Sequence, residues 1–492
     1  MFDDLRPFRT PSPEAVRAFV ERIPMYAQDD DPAFWSADRL RSRQNELLRR
    51  QMAWIAEGSA FYQSMFKREG IDAGSIAGVD DLVGIPTTTK MDLMNDSASF
   101  RLNLRKRTLY DTTYATVYTT GVTLGVPTRY EYTAHDYFGT LQAQIRCNKL
   151  SYYVPGDHAV VAFPLAPVPH IGSPAWLSLM TNASGVSFAS GFTGTPYPEF
   201  PIHRPANLLV DMIEHQRPQI LIGIASFVRR LLADAAAAGR DFSSLRIVLT
   251  GGEALTQRTR AQMHDNLASL GAPDVFITAN YGFTEGAIPA GACYEGGPMH
   301  NSAPDQIFYE VLDEDTLEPV PDGQTGLVAL THLNRRGMPL LRYLLGDVSS
   351  ISNEQCDACG RIGQSFLISS GSAYARRTKD LIKVKGTLVN PHLVHDAVAG
   401  AAGVLEYQLV VTNEVEGDAL TPEKVVLRIG VDDGENRNSW SPGGKNFEDI
   451  RDAVFNAIEQ RVELDVVDDV SSVYDPIKEF KATRVIDRRP TD

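Results

Sequence analysis

From about residue 158 the chain alternates strand-like with helix-like segments, and this restricts its fold more than any other feature. Ala159 to Phe163, Gln219 to Ile224, Leu245 to Thr250 and Val275 to Ala279 are short apolar runs. Among them lie Leu208 to His215, Phe227 to Ala238 and Ala254 to Leu270, with helical spacing. Strands separated by helices pair in parallel, because a parallel connection needs a crossover of that length. The alternation therefore predicts an α/β fold, a largely parallel sheet flanked by helices. Such sheets bind ligands at the carboxyl ends of their strands. Two strand ends carry suitable groups: Gly251-Gly252-Glu253, and Tyr281-Gly282-Phe283-Thr284-Glu285-Gly286. At the first, paired glycines let a ligand approach the backbone closely. At the second, Gly282 allows a tight turn and Glu285 is an acidic ligand. Each alone reads equally as an ordinary strand end, with Glu285 in solvent.

The flanks are organised differently. Residues 1–100 read as mostly helical, with Leu40 to Trp54 apolar at helical spacing. Ile85 to Lys90 is an extended break, because the residue before Pro86 is pushed out of the helical region. Ile307 to Leu312 and Gly326 to His332 suit antiparallel strands, with Asp322-Gly323 marking a turn. The small-residue stretch Ser369 to Ala373 suggests a boundary, giving a large unit over 1–373 and a small α+β unit over 374–492. In the latter, strands at Leu381 to Val384, Leu405 to Val411, Lys424 to Val431 and Leu464 to Val470, and a helix from Phe447 to Val462 capped by Asn446, suggest a ferredoxin-like order.

Charge and cysteine usage exclude some functions. A net charge of −15 argues against a nucleic-acid or anionic-membrane binder. No run has the apolar length of a membrane helix, and Met1-Phe2-Asp3-Asp4 does not open a signal peptide. Four cysteines in 492 residues form no disulfide framework and suit a reducing cytoplasm. A monomer or homodimer is expected.

Three further segments could carry chemistry. Tyr118 to Thr128 alternates hydroxyls and glycines between extended flanks, so it could turn N–H groups and the hydroxyls of Thr119, Thr120 and Thr123 around Gly121 onto phosphate oxygens. It lacks the Gly-Lys-Ser/Thr of a Walker loop and reads equally as a plain turn. Asp347 follows an apolar run and a glycine, suited to a vicinal diol or to a turn. Cys356 and Cys359 form a knuckle, and Cys293 precedes His300 by six intervening residues. Three cysteines and a histidine could close a tetrahedral structural zinc site, or be unrelated. Cys147 is left over as a buried thiol.

Taken in order, these motifs resemble the adenylate-forming superfamily of acyl-CoA synthetases, adenylation domains and luciferases, most closely its phenylacetate-CoA ligase branch. The resemblance runs from about Gln44 to Arg489. It rests on the Thr/Gly loop, the Gly-Gly-Glu strand end, Tyr-Gly-x-Thr-Glu, Arg342-Tyr343-x-x-Gly346-Asp347, the segment Arg377 to Gly386 and a terminal lysine. The Cys/His set also matches zinc ligands of that branch. The resemblance implies a large adenylation domain and a small C-terminal domain that rotates between half-reactions. It implies ATP, Mg²⁺, structural Zn²⁺ and coenzyme A, with a small aromatic carboxylic acid as substrate and AMP and pyrophosphate as products. A carrier protein, amine or other nitrogen nucleophile is the alternative acceptor. By the same resemblance Thr119 to Thr128 is the phosphate loop, Gly252 and Glu253 would line the adenine pocket, Tyr281 would stack on or line the adenine, and Gly282 counts among the cofactor-binding residues. Thr284 would touch the α-phosphate, Glu285 would hold Mg²⁺, and Asp347 would take the ribose. Lys379 would be the hinge, Gly386 would lie near the thiol tunnel, and Lys481 would bridge carboxylate and α-phosphate. The chain departs from the family at Val122 and Leu124 in the loop and at Arg376 before the hinge. Phe163 to Gly172 and Phe188 to Gly194 could wall an acid pocket or serve as packing.

Overall fold

The structure, a computed structural model, describes residues 30–106, 108–118, 128–163, 174–191, 206–252, 255 and 257–367. Beyond these it describes 376–377, 382–384, 387–389, 393–394, 397–398, 401, 403–415, 421–431, 437–458, 460–467, 469–474 and 484–489. Helices α1 (Ala37–Gly58), α2 (Ala60–Glu69) and α3 (Lys90–Asn95) form the first part. Ser36 caps α1 by accepting from the Arg39 N–H at 3.3 Å. The buried face of α1 repeats Leu40, Leu47, Leu48, Met52 and Ile55, with Gln44 and Gln51 among them. Gln51 binds the Arg335 backbone from both sides, accepting from its N–H at 2.6 Å and donating to its carbonyl at 2.9 Å. The extended break after α2 bridges Thr88 to Tyr343 in parallel.

A hairpin follows, β1 (Thr113–Tyr118) with β2 (Arg129–Thr133), antiparallel with Tyr118 opposite Arg129. The candidate phosphate loop connects these strands, and residues 119–127 lie outside the described residues. Thr133 and Asp136 form a capping box at the start of α4 (Ala134–Leu150). Asp136 also accepts from the Arg336 and Gly337 N–H groups at 2.7 and 2.8 Å. A Cβ at position 337 would lie 2.7 Å from both Asp136 Oδ2 and the Glu131 carbonyl, so only glycine fits.

The predicted alternation is present. It comprises β3 (His158–Ala162), α5 (Pro174–Asn182), β4 (Ser187–Ser190), α6 (Ala206–Gln216), β5 (Ile220–Gly223), α7 (Ala225–Ala237), β6 (Ile247–Gly251), α8 (Gln257–Ser269) and β7 (Phe276–Tyr281). The strands pair in parallel in the order β4-β3-β5-β6-β7. All of β5 is buried, as suits a strand covered on both faces. The sheet then continues antiparallel through β8 (Ala290–Ala292), β9 (Met299–Asn301), β10 (Ile307–Leu312), β11 (Thr325–His332), β12 (Tyr343–Ser352) and β13 (Ser365–Leu367). Their spatial order is β7-β8-β9-β13-β12-β11-β10. The sheet is thus mixed, and it changes from parallel to antiparallel at β7, whose carboxyl end carries Tyr281 to Gly286. A short strand, β14 (Arg376–Arg377), pairs with Asp347 and Val348.

Beyond lie the hairpin β15 (Ile382–Val384) with β16 (Thr387–Val389), then β17 (Val404–Asn413), β18 (Glu423–Val431), α9 (Lys445–Ile458), β19 (Glu463–Val467) and β20 (Val485–Asp487). Helix α9 starts one residue before the Asn446 expected to cap it. The four-stranded sheet has the order β19-β18-β17-β20. Only its central pair is antiparallel; both edge strands join in parallel. This differs from the ferredoxin-like order expected, because α9 crosses over to set β19 parallel beside β18. The residues of this part bury a hydrophobic cluster of their own, including Val394, Leu409, Leu427, Val454 and Ile458, separate from the large core around the main sheet. No helix among the described residues is long and apolar enough to cross a membrane.

Candidate active site at the end of the last parallel strand

β7 delivers Tyr281 to the edge of the sheet's reversal, with its ring between Phe366 (centroids 5.0 Å apart) and Phe283 (5.8 Å). Its hydroxyl donates to Asp347 Oδ2 at 2.6 Å. Asp347 reaches this position through an irregularity in β12. Leu344 pairs with Ala329 and Val348 with Leu327, so three residues oppose Val328 alone. Gly346, with φ 78°, supplies the left-handed conformation inside that bulge. Tyr281 and Asp347, expected at adenine and ribose, are therefore joined directly.

Glu285 is buried, and its Oε1 accepts from the Tyr343 hydroxyl at 3.0 Å. Burial, then the Glu285 charge, push the Tyr343 phenol well above its usual range, so it remains a donor. Among the described residues, no lysine or arginine pairs with Glu285 and no group donates to its Oε2. A buried carboxylate so placed fits a cation. Thr284 is buried beside it. The tight turn expected at Gly282 lies elsewhere. Gly282 has no left-handed φ, and a Cβ there would be 3.9 Å from its nearest neighbour; the left-handed residue is Ala287, φ 50°. At Gly286 a Cβ would meet the Phe283 ring at 2.3 Å.

Of the other expected site residues, Gly252 follows β6 with φ 79°, as a turn there requires. Glu253, Thr119, Thr120, Gly121, Thr123, Lys379, Gly386 and Lys481 lie outside the described residues, as do 164–172 and 192–194 of the suggested pocket walls. Arg342, quoted with the Asp347 motif, does not face this site. It is buried against Glu310, with Nε at 3.1 and 3.2 Å from the two carboxylate oxygens, and donates to the Ile85 carbonyl at 2.8 Å.

Four residues beneath the site carried no sequence signal of their role. The Tyr132 hydroxyl donates to the Thr284 carbonyl, and Arg335 Nη2 to the Gly286 carbonyl at 2.5 Å. His332 is fully buried against the Glu285 backbone, and burial and the Arg335 charge hold its pKa well below the usual value. Tyr343 stood in a quoted motif, but nothing in sequence tied it to Glu285.

The cysteines and the histidine come together at a second place. Cys293, His300, Cys356 and Cys359 place their ligand atoms within 4.8 Å of one another. Cys293 and Cys356 sulfurs are 3.9 Å apart, and His300 Nε2 lies 3.3 Å from Cys293 Sγ and 3.5 Å from Cys359 Sγ. Tetrahedral zinc bonds of about 2.3 Å to sulfur and 2.0 Å to nitrogen require separations of this size. His300 Nδ1 contacts Ser365 Oγ at 2.8 Å, a partner that fixes the ring. Cys147 stands apart as the buried free thiol expected, its pKa pushed up to about 12 by burial.

The family described as AMP-binding enzyme matches residues 115–332. The phenylacetate-coenzyme A ligase of Thermus thermophilus is 28% identical over 385 residues, covering 77% of this chain and 79% of that protein. That of Aromatoleum evansii is 24% identical over 495 residues, covering 99% and 100%. Among solved structures, a 2-hydroxyisobutyryl-CoA ligase in complex with an adenylate superposes with a TM-score of 0.73 at 19% identity, over 93% of this chain and 91% of that one; at this identity the likeness concerns the fold.

Proposed function

The chain belongs to the adenylate-forming enzymes, with phenylacetate-coenzyme A ligases among its relatives, and from that premise we propose that it activates an aryl carboxylic acid as its adenylate and passes the acyl group to coenzyme A. The observation that carries this reading is the convergence at the end of β7. There Tyr281 meets Asp347, and Glu285 stands buried without a basic partner among the described residues.

In the first step a carboxylate oxygen of the acid attacks the α-phosphorus of ATP. The bond to the bridging oxygen breaks, and pyrophosphate leaves. Tyr281 and Asp347 hold the nucleoside end, so the α-phosphate is presented to Thr284. Glu285, oriented by Tyr343, holds Mg²⁺, which when bound supplies positive charge to the phosphate oxygens. Lys481 joins carboxylate and α-phosphate, offsetting charge where it develops. In the second step the sulfur of coenzyme A attacks the acyl carbon, and AMP leaves. The parts over 1–373 and 374–492 act as two domains, the smaller turning about Lys379 to withdraw Lys481 and bring in Gly386. Cys293, His300, Cys356 and Cys359 hold a structural zinc ion, since all four protein ligands are present and no open position is left for a substrate.

A single-turnover experiment tests the first step. Enzyme, Mg-ATP and phenylacetate are quenched without coenzyme A, and the products are weighed by mass spectrometry. Aryl-adenylate with an equal amount of pyrophosphate supports the reading. ADP and phosphate, or no acid-dependent product across benzoic, phenylacetic and cinnamic acids, would reject it.

A further inference from the structure

The segment that carries Thr284 and Glu285 is one isolated helical turn, closed where the Ala287 N–H meets the Phe283 carbonyl at 3.0 Å. A lone turn has no following turn to satisfy its inner carbonyls, those of Thr284, Glu285 and Gly286. Burial makes an unmet carbonyl costly. Ala287 adds strain, because its φ of 50° is a conformation that L-residues disfavour by about 1 kcal/mol or more. Such a turn persists only if its surroundings hold it.

Two of these carbonyls, those of Thr284 and Gly286, meet side chains from distant parts of the chain. Tyr132, on β2, donates its hydroxyl to Thr284. Arg335 Nη2 donates to Gly286 at 2.5 Å. His332, at the end of β11, is buried beside Arg335, its Nε2 3.3 Å from Arg335 Nη2. On its other side Nδ1 accepts from the Leu340 N–H at 3.0 Å, which fixes the ring. Arg335 Cζ lies 5.0 Å from the Tyr132 ring centroid. The backbone that presents Arg335 is itself fixed by Gln51.

We propose that Tyr132, His332 and Arg335 are positioning residues for adenylation. Tyr132 and Arg335 bond the carbonyls on either side of Glu285, His332 backs Arg335, and they hold the turn so that the Thr284 hydroxyl and the Glu285 carboxylate meet the triphosphate and its magnesium together. Tyr132 also ties the turn to the hairpin that carries the Thr119–Thr128 loop. The inference rests on the proposed use of ATP and Mg²⁺ by this site.

Binding without turnover tests it. ATP is titrated calorimetrically into the full-length protein without acid, once with Mg²⁺ and once with EDTA, for wild type, Tyr132→Phe, His332→Ala and His332→Gln. Outer partners of metal ligands typically contribute about 10- to 100-fold in affinity. Tyr132→Phe and His332→Ala are expected to weaken Mg-ATP binding about tenfold and leave metal-free ATP binding unchanged. His332→Gln, whose amide can still meet Arg335 and the Leu340 N–H, is expected to recover most of the loss. In adenylation assays the KM for the acid stays constant, while the Mg²⁺ requirement rises. Equal weakening with and without metal, or wild-type Mg-ATP binding in variants that melt like wild type, would overturn the proposal. If His332→Ala fails to fold, Tyr132→Phe decides, because it removes one oxygen. A wild type that binds Mg-ATP but adenylates no acid sinks the proposed reaction alone, and the binding comparison still judges the clamp. A wild type that binds no ATP sinks both.

Discussion

At the scale of single residues, the contact between Tyr281 and Asp347 joins two groups that sequence reasoning had placed on separate parts of a nucleotide. Removing the Tyr281 hydroxyl leaves Asp347 without that donor. A hydrogen bond of this kind contributes about 1 kcal/mol, so Tyr281→Phe should raise the KM for ATP about fivefold with a smaller change in kcat. Initial rates of pyrophosphate release would show it, and an unchanged KM would mean that the bond does not position Asp347. Glu285→Gln keeps a hydrogen-bond acceptor for Tyr343 but removes the charge. It should lower the adenylation rate by about 100-fold or more, measured at saturating ATP. Tyr281, Thr284, Glu285 and Asp347 were legible because each sits at a strand end within a short motif. Tyr132 was not, since its partner Thr284 is 152 positions away and a tyrosine in a β-rich run looks like core. His332 and Arg335 were hidden for the same reason: backbone carbonyls that need partners leave no mark in a sequence.

At the scale of elements, two devices shape the site. The bulge in β12 re-aims Asp347, and the Cys/His knuckle ties the turn at Cys356–Cys359 to β9, which carries His300. β9 pairs with β13 and β8, and β8 pairs with β7, so the knuckle is two strands from the candidate site. A zinc ion there would support the sheet rather than the chemistry. The purified protein should contain a single zinc ion by elemental mass spectrometry. Cys356→Ser should lose it and lower the melting temperature by several degrees, with the KM for ATP unchanged. A protein without zinc, or a variant of unaltered stability, would contradict this. The cysteine spacing made the knuckle readable. The bulge was not readable, because the extra residues show only against the partner strand, although Gly346 is its one local trace. The parallel strands were legible from their alternation with helices. The insertion of β13 between β9 and β12 was not, since it depends on pairing between distant segments.

At the scale of the molecule, one buried carboxylate links the two hydrophobic clusters. Glu406, on β17, pairs with Arg484, just before β20, and with Arg229 of α7, which also donates to the Leu405 carbonyl. Arg484 lies three residues after Lys481 and just before β20. Burial alone would raise the Glu406 pKa, but Arg484 and Arg229 more than offset it and hold it below the usual range. A depressed folded pKa stabilises above the unfolded carboxylate value, about 4.3. That stability is lost as pH falls from there through the lower folded value. Glu406→Gln strands two guanidinium groups and should cost about 3 kcal/mol at neutral pH. In denaturant melts at several pH values it should also show a shallower loss than wild type below about pH 4.3; identical pH profiles would contradict this. The central claim is that this chain makes an acyl-CoA through an adenylate. The most direct measurement is product mass after incubation with Mg-ATP, a panel of aryl acids and coenzyme A, each component omitted in turn. The account predicts an aryl-CoA that requires all three, with one AMP and one pyrophosphate formed per thioester. An aryl-adenylate that accumulates unchanged when coenzyme A is present would contradict it.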